Sequence, residues 1–302
     1  MGRACAAMTV LRRNNLLWRW LSLAPLLALL IVFTVVPVAG LVWMSFHDRQ
    51  WQSGIGVWRF VGLDHWREFT SNLYYWPGLR NTVVFAVCAV SLQMLLGFFM
   101  ALSVSRAQGW LRGLLTTVFL LPVVVPPIVI GAMWKLLLGT EFGGVNAALA
   151  LLGVPAIDWL GNPALALPSI ILVDVWHWTP FVFILLLAGI EGLPQDALEA
   201  ARLDTLSAWQ SLRHIMLPLM APTIAITLVF RIILTFKVFD EVYLLTSGGP
   251  GTATEVVSFS IQRTFFGRDD VGLGSVMSVF TLFVVALLAV LAIAASRRRR
   301  SD

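Results

Sequence analysis

Six long apolar stretches, at about 21–46, 81–105, 113–137, 168–190, 219–245 and 272–295, decide what this chain is able to fold into. A hydrocarbon layer about 30 Å thick is crossed by roughly 20 residues of α-helix, and each stretch reaches that length. Inside lipid, every backbone N–H and C=O must be satisfied within the protein, and a helix does this along its own axis. The chain therefore reads as an all-α integral membrane protein with six transmembrane helices. Composition agrees, because 59% of the 302 residues are apolar and 12% are charged, about half the charged share of a soluble domain.

Arg12, Arg13 and Arg19 precede the first stretch as they would in a secretory signal. A signal core spans about 7–15 residues, whereas this one continues to Phe46, so an uncleaved first span is expected. The tails at 1–20 and 296–302, with the loops at 106–112 and 191–218, hold twelve arginines and lysines. The loops at 47–80, 138–167 and 246–271 hold six. The excess of positive charge on the cytoplasmic side then places both termini in the cytoplasm of a multi-pass inner-membrane (plasma-membrane) protein. The domain expected over 21–295 is flanked by two short basic tails. Val145 to Leu152 reads as an interfacial helix. Trp51, Trp58, Trp66, Trp76 and Trp159 suit loops at the headgroup level.

Several function classes fall away. The net charge of +5 is spread as membrane topology requires and does not form a face with stacking aromatics, which argues against a nucleic-acid partner. Cys5 and Cys88 are too few for a disulfide framework, and His47, His65, His177 and His214 lack paired ligand spacing. Neither a metal nor a cofactor is expected. Neither Lys135 nor Lys237 follows a glycine, so there is no phosphate-cradling loop, and no HExxH or serine-nucleophile motif is present. An enzyme is not expected. An ion-driven carrier or channel is the alternative transport reading, but such folds show internal repeats and none is evident.

The most informative segment is the cytoplasmic loop at 193–218, LPQDALEAARLDTLSAWQSLRHIMLP. Gln195 to Leu203 reads as a short helix with Asp196 near its positive end. Asp204 or Thr205 is placed to cap a second helix through Trp209, Leu212 and Ile215, and Pro218 opens the next span. Two short helices held between spans make a rigid knob suited to docking a soluble partner.

At these residues the chain resembles the integral-membrane permeases of ATP-binding-cassette importers. Their signature is Glu-Ala-Ala, three residues, Gly, nine residues, Ile, one residue, Leu-Pro. Glu199, Ala200, Ala201, Ile215, Leu217 and Pro218 match it, and Thr205 stands where the family has a glycine able to adopt a left-handed backbone. Phe60 to Asp64 (FVGLD), Trp176 to Gly189, and Phe236 to Pro250 with Thr254-Glu255 resemble the carbohydrate-importer branch, the maltose- and trehalose-type permeases. The resemblance covers about 20–295. It implies the type I importer permease fold with a coupling-helix loop. It also implies two ATPase subunits, a second similar permease, an extracytoplasmic binding protein and a sugar or polyol substrate. Glu199, with the small Ala200 and Ala201, would meet a cleft on the ATPase, and Trp209 and Leu212 would add an apolar anchor.

Span five carries Arg231, Lys237, Asp240 and Glu241, and charges at bilayer depth belong against the bundle or a wet cavity. Thr227, Arg231, Thr235 and Val238 share a helical face, and Lys237 has Asp240 and Glu241 at helical spacing. The resemblance gives this face to the sugar site, with Arg231 and Thr235 bonding hydroxyls. Charge pairing that holds the structure together is the other reading, and is favoured for Lys237, Asp240 and Glu241. Trp176, Trp178 and Phe181 either stack on a sugar or pack. Leu121 to Pro127 (LPVVVPP) either breaks span three at substrate depth or merely kinks it.

Overall fold

A helix that is apolar on every side has no face to offer water, and the first helix, α1 (Gly2–Met44), is built that way from Trp20 to Met44. The computed structural model describes residues 2–52, 55–203 and 207–298. It divides into two compact units, Met1–Thr70 with Thr264–Phe280, and Ser71–Arg263 with Thr281–Asp302.

In the first unit, α1 is followed by an antiparallel hairpin, β1 (His47–Gln52) on β2 (Ile55–Phe60), with His47 opposite Phe60 and Trp51 opposite Gly56. The hairpin is not expected from the sequence, where its tryptophans read as interfacial loop residues. Its hold is specific: Trp43 stacks on His47 at 3.9 Å, the Trp51 indole donates to Asp269 at 2.6 Å, and Arg49 pairs with the same carboxylate. The short helix α2 (Asp64–Thr70) begins with an acidic residue, which suits the positive end of the helix dipole. His65 from α2 fills the space that the missing side chain of Gly272 leaves.

The second unit holds α3 (Tyr75–Arg106), α4 (Gly109–Val124), α5 (Pro127–Leu137), α6 (Gly144–Ala150), α7 (Pro163–Glu191), α8 (Gln195–Leu203) and α9 (Ala208–Ser211). A π-helical turn, Leu212–Met216, leads into α10 (Leu217–Thr235), and α11 (Asp240–Leu245) and α12 (Val257–Gln262) follow. The last helix, α13 (Val271–Arg298), contributes residues to both units. Among the described residues, five helices are long and apolar enough to span alone, and α4 with α5, bent by 93°, are together long and apolar enough for a sixth.

The prolines explain that break. Pro126 and Pro127 lack an N–H, so α4 cannot continue through them, while Pro127 suits the first turn of α5. Span five is shorter than its apolar stretch: α10 stops at Thr235 and the chain re-forms a helix only at Asp240. No proline marks this break. Asp240 and Glu241 start α11 at its positive end, and the carbonyl of Val238 in the gap is satisfied by the Ser258 hydroxyl. The expected Lys237 pairing fails for the same reason. Helical spacing is lost across 236–239, and among the described residues Lys237 is exposed and forms no ion pair.

Two apolar cores lie at the two ends of α7. One joins Ile170, Val173 and Val175 to Phe85 of α3, Ile130 of α5 and Val242 of α11. The other joins Val182, Phe183 and Leu186 to Ala101 and Leu102 of α3 and Met220 of α10. Without water, helices associate by close backbone approach over small residues. Gly97 of α3 is such a point, because a Cβ there would lie 2.8 Å from Val182 and 3.0 Å from the backbone of Phe183. Gly189 against Thr223 and Gly131 against Leu244 repeat the device between α7 and α10 and between α5 and α11. α7 itself starts on Asn162, whose carboxamide oxygen accepts from the Ala164 N–H at 2.9 Å, with Pro163 in the first turn.

Candidate functional site

Two of the polar clusters in the second unit hold the residues expected to carry function. The first is the 193–218 segment. Helix α8 covers the expected range, with Asp196 in its first turn. Leu198 packs inward on the core at the C-terminal end of α7, together with Leu212 and Met216. Glu199 points outward, and Ala200 and Ala201 lie on the same short helix. The anchoring residues therefore divide by side. Trp209 is 65% exposed, whereas Leu212, expected to join it on the offered surface, is spent on the internal core.

Asp204 and Thr205 lie outside the described residues. The second helix is capped at Ser207, whose N–H donates to the Gln210 carboxamide at 2.8 Å while its hydroxyl accepts from the Gln210 N–H at 3.3 Å, a reciprocal capping box. Pro218 does not open a new helix. Helical backbone runs from Ala208 through the π turn into α10, with the Leu217 N–H reaching back to Leu212. The proline's missing N–H is absorbed in that widened turn. Ile215 and Leu217 are half-buried along this rod. At its base Arg112 of α4 pairs with Glu191 at the end of α7.

The second place is a polar layer between the two cores. Arg231 of α10 is 1% exposed. Its Nε donates to the Gln93 carboxamide oxygen of α3 at 2.8 Å, and its Nη2 donates to Asp174 of α7 at 3.1 Å. Gln93 Nε2 closes the triangle by donating to the Asp174 carboxylate at 2.8 Å and to its backbone carbonyl at 3.0 Å. Trp178 lies 5.2 Å from the guanidinium carbon, a cation–π contact. One turn along α7, His177 Nδ1 meets Glu241 of α11 at 3.3 Å, and Glu241 is 4% exposed. Buried charges are tolerated when paired in this way.

The residues expected along a substrate path are therefore dispersed. Arg231 is turned to protein partners, and the Thr235 hydroxyl donates to the Arg231 carbonyl at 2.7 Å. Thr227 donates to the Thr223 carbonyl, and Val238 is buried in the gap of span five. Trp178 and Phe181 meet edge to face at 6.2 Å and are half-buried. Trp176 is different. It packs edge-on to Trp134 at 5.6 Å and lines an open groove of about 430 Å³ with Leu96, Phe119, Pro122 and Thr179, beside the break that Pro127 begins to repair. Asp174 and Gln93 were not singled out from sequence. An aspartate inside the apolar fourth stretch is the signal that would have found them, since Arg231 needs an anion at the same depth.

Membrane-crossing helices with a sharply bent pair at α4 and α5 and a rooted surface knob define a transport permease in class. The family model described as "binding-protein-dependent transport system inner membrane component" matches residues 93–301. The trehalose/maltose transport system permease protein MalF of Thermococcus litoralis is 36% identical over 282 residues, covering 93% of this chain and 94% of that protein. The trehalose transport system permease protein SugA of Mycobacterium tuberculosis is 30% identical over 260 residues, covering 86% and 82%. The fold is similar to that of a bacterial ABC transporter involved in the import of the acidic polysaccharide alginate, with a TM-score of 0.81, 24% identity and coverage of 97% and 99%. The chain belongs to the binding-protein-dependent transport system inner membrane components, and is a multi-pass permease subunit of an ABC importer. Nothing in these likenesses supports an ion-driven carrier.

Proposed function

We propose that this chain is half of the translocation pathway of a sugar importer, driven by ATPase subunits that dock on the 193–218 knob from the cytoplasm. The observation that carries the reading is the division of that knob. Glu199 and Trp209 face outward, while Leu198, Leu212 and Met216 root it in the core. A push on the exposed side is thus delivered to a helix that continues without interruption to Thr235. The relatives named for trehalose and maltose support a neutral disaccharide as cargo. A second permease of similar kind supplies the other half of the path. An extracytoplasmic binding protein delivers the sugar to the loops at 47–80, 138–167 and 246–271, both termini lying inside the cell. Binding of ATP closes the two ATPases, and the spans rotate from one access to the other.

Uptake of radiolabelled trehalose into proteoliposomes holding the assembled transporter, with binding protein outside and ATP inside, tests this reading. Uptake is expected to need ATP and to fall at least tenfold in Glu199→Lys. Uptake by the chain alone on an ion gradient overturns it.

A further inference from the structure

Spans three and five are both interrupted, at Val125–Pro126 and at 236–239, whereas α3 and α7 run unbroken through both cores. The helices that follow the two breaks pack on each other: α11 lies on α5, with Leu244 seated over Gly131. A displacement that enters α10 from the knob therefore reaches the end of that helix at Thr235, where the i to i−4 ladder gives way after Phe236 to two tighter turns, Lys237 N–H to the Leu234 carbonyl and Val238 N–H to the Thr235 carbonyl. A broken helix transmits axial and rotational motion poorly, because its stiffness resides in the continuous ladder of i to i−4 bonds.

The polar layer supplies another route. Asp174 and His177 stand three residues apart, on one face of α7. Asp174 holds Arg231, four residues before the end of α10, and His177 holds Glu241, the second residue of α11. α10 and α11 are thus each tied by a buried pair to the same turn of one unbroken helix. Gln93 ties the first pair to the second unbroken helix as well. Such pairs are stiff in direction, since any shift that separates them leaves a charge or polar group bare in an apolar layer.

We propose that Asp174 and His177 are positioning residues of the transport cycle, which carry the coupling motion from α10 across to α11 through α7. This rests on the functional reading above, in which that motion begins at the knob. The wider packing of α11 on α5 is apolar, whereas Glu241 gives α11 a directional polar tie to α7, and in this proposal that tie makes α11 follow α7.

The test uses the transporter assembled in nanodiscs with its ATPase subunits and partner permease, Cys5 and Cys88 being replaced by serine. Spin labels go at the exposed positions Leu172, Ile226 and Tyr243 on α7, α10 and α11, with a fourth at Trp209. In the parent protein the 226–243 separation is expected to be the same without nucleotide and when trapped with ATP and vanadate. In Glu241→Ala it is expected to shift and broaden on trapping, while the 172–226 separation stays fixed. Glu241→Gln, which keeps an acceptor for His177, and the exchanged pair His177→Glu with Glu241→His are expected to hold the parent separation. A Glu241→Ala protein that keeps the parent 226–243 separation in both states overturns the proposal. So does a parent protein whose separation changes on trapping. A Trp209 label that does not respond to ATP overturns the functional reading and this inference with it.

Discussion

Arg231 shows how one residue both costs and organises. A guanidinium held between two apolar cores stays there because Asp174 and Gln93 take up its donors. Removing it by Arg231→Ala strands the Asp174 carboxylate, and a loss of about 3–5 kcal/mol is expected from breaking a buried pair. Replacing both partners with apolar residues of similar size, Arg231→Met with Asp174→Leu, is expected to recover most of that loss. Thermal unfolding in detergent, followed by circular dichroism, distinguishes the two. A single variant as stable as the parent would show that the pair does not hold α10 to α7.

A second residue-scale prediction concerns Asp269, outside the spans. The Trp51 hydrogen bond, then the charge of Arg49, hold its carboxyl below the usual carboxylate range. A carboxylate with a lowered pKa in the folded protein contributes stability that is fully present above its unfolded pKa of about 4 and is lost as pH falls through the folded value. The hairpin is therefore expected to loosen only in acid below about pH 4, and Asp269→Asn is expected to remove that dependence. Hydrogen exchange of the amides at 47–60 across a pH series reads it directly.

At the scale of elements, the contact of α3 with α7 is set by the absence of a side chain at Gly97. Gly97→Leu forces α3 away from Val182 and Phe183. Overpacking of this kind costs typically about 1–3 kcal/mol, so a lowered unfolding temperature is expected for the purified chain. An unchanged midpoint would mean that the helices slide apart without loss. The elements also show what was legible beforehand. Runs of apolar residues announce the spans because lipid leaves no other way to satisfy their backbone. Prolines 126 and 127 announce the break in span three because an absent N–H is a local property. The gap at 236–239 has no such mark. It depends on Ser258 reaching Val238 and on Glu241 finding His177, contacts between residues far apart in sequence. The cap at Ser207 is legible from Gln210 three residues on, the spacing of a reciprocal capping box. The hairpin at 47–60 was obscured by tryptophans that suit an interface in any backbone form.

For the whole molecule, the knob is the feature on which the functional account turns. Its motif identifies it in the sequence, and the structure adds the mechanical part: an outward Glu199 and Trp209, an inward Leu198 and Leu212, and a continuous rod leading away. The most direct measurement is photocrosslinking from a benzoylphenylalanine placed at Trp209 in the assembled transporter, with the adducts identified by mass spectrometry. An adduct with the ATPase subunit, altered when ATP is trapped, is the expected result. Adducts with lipid alone, or with the binding protein outside the cell, would contradict the claim that the driving force enters through this loop.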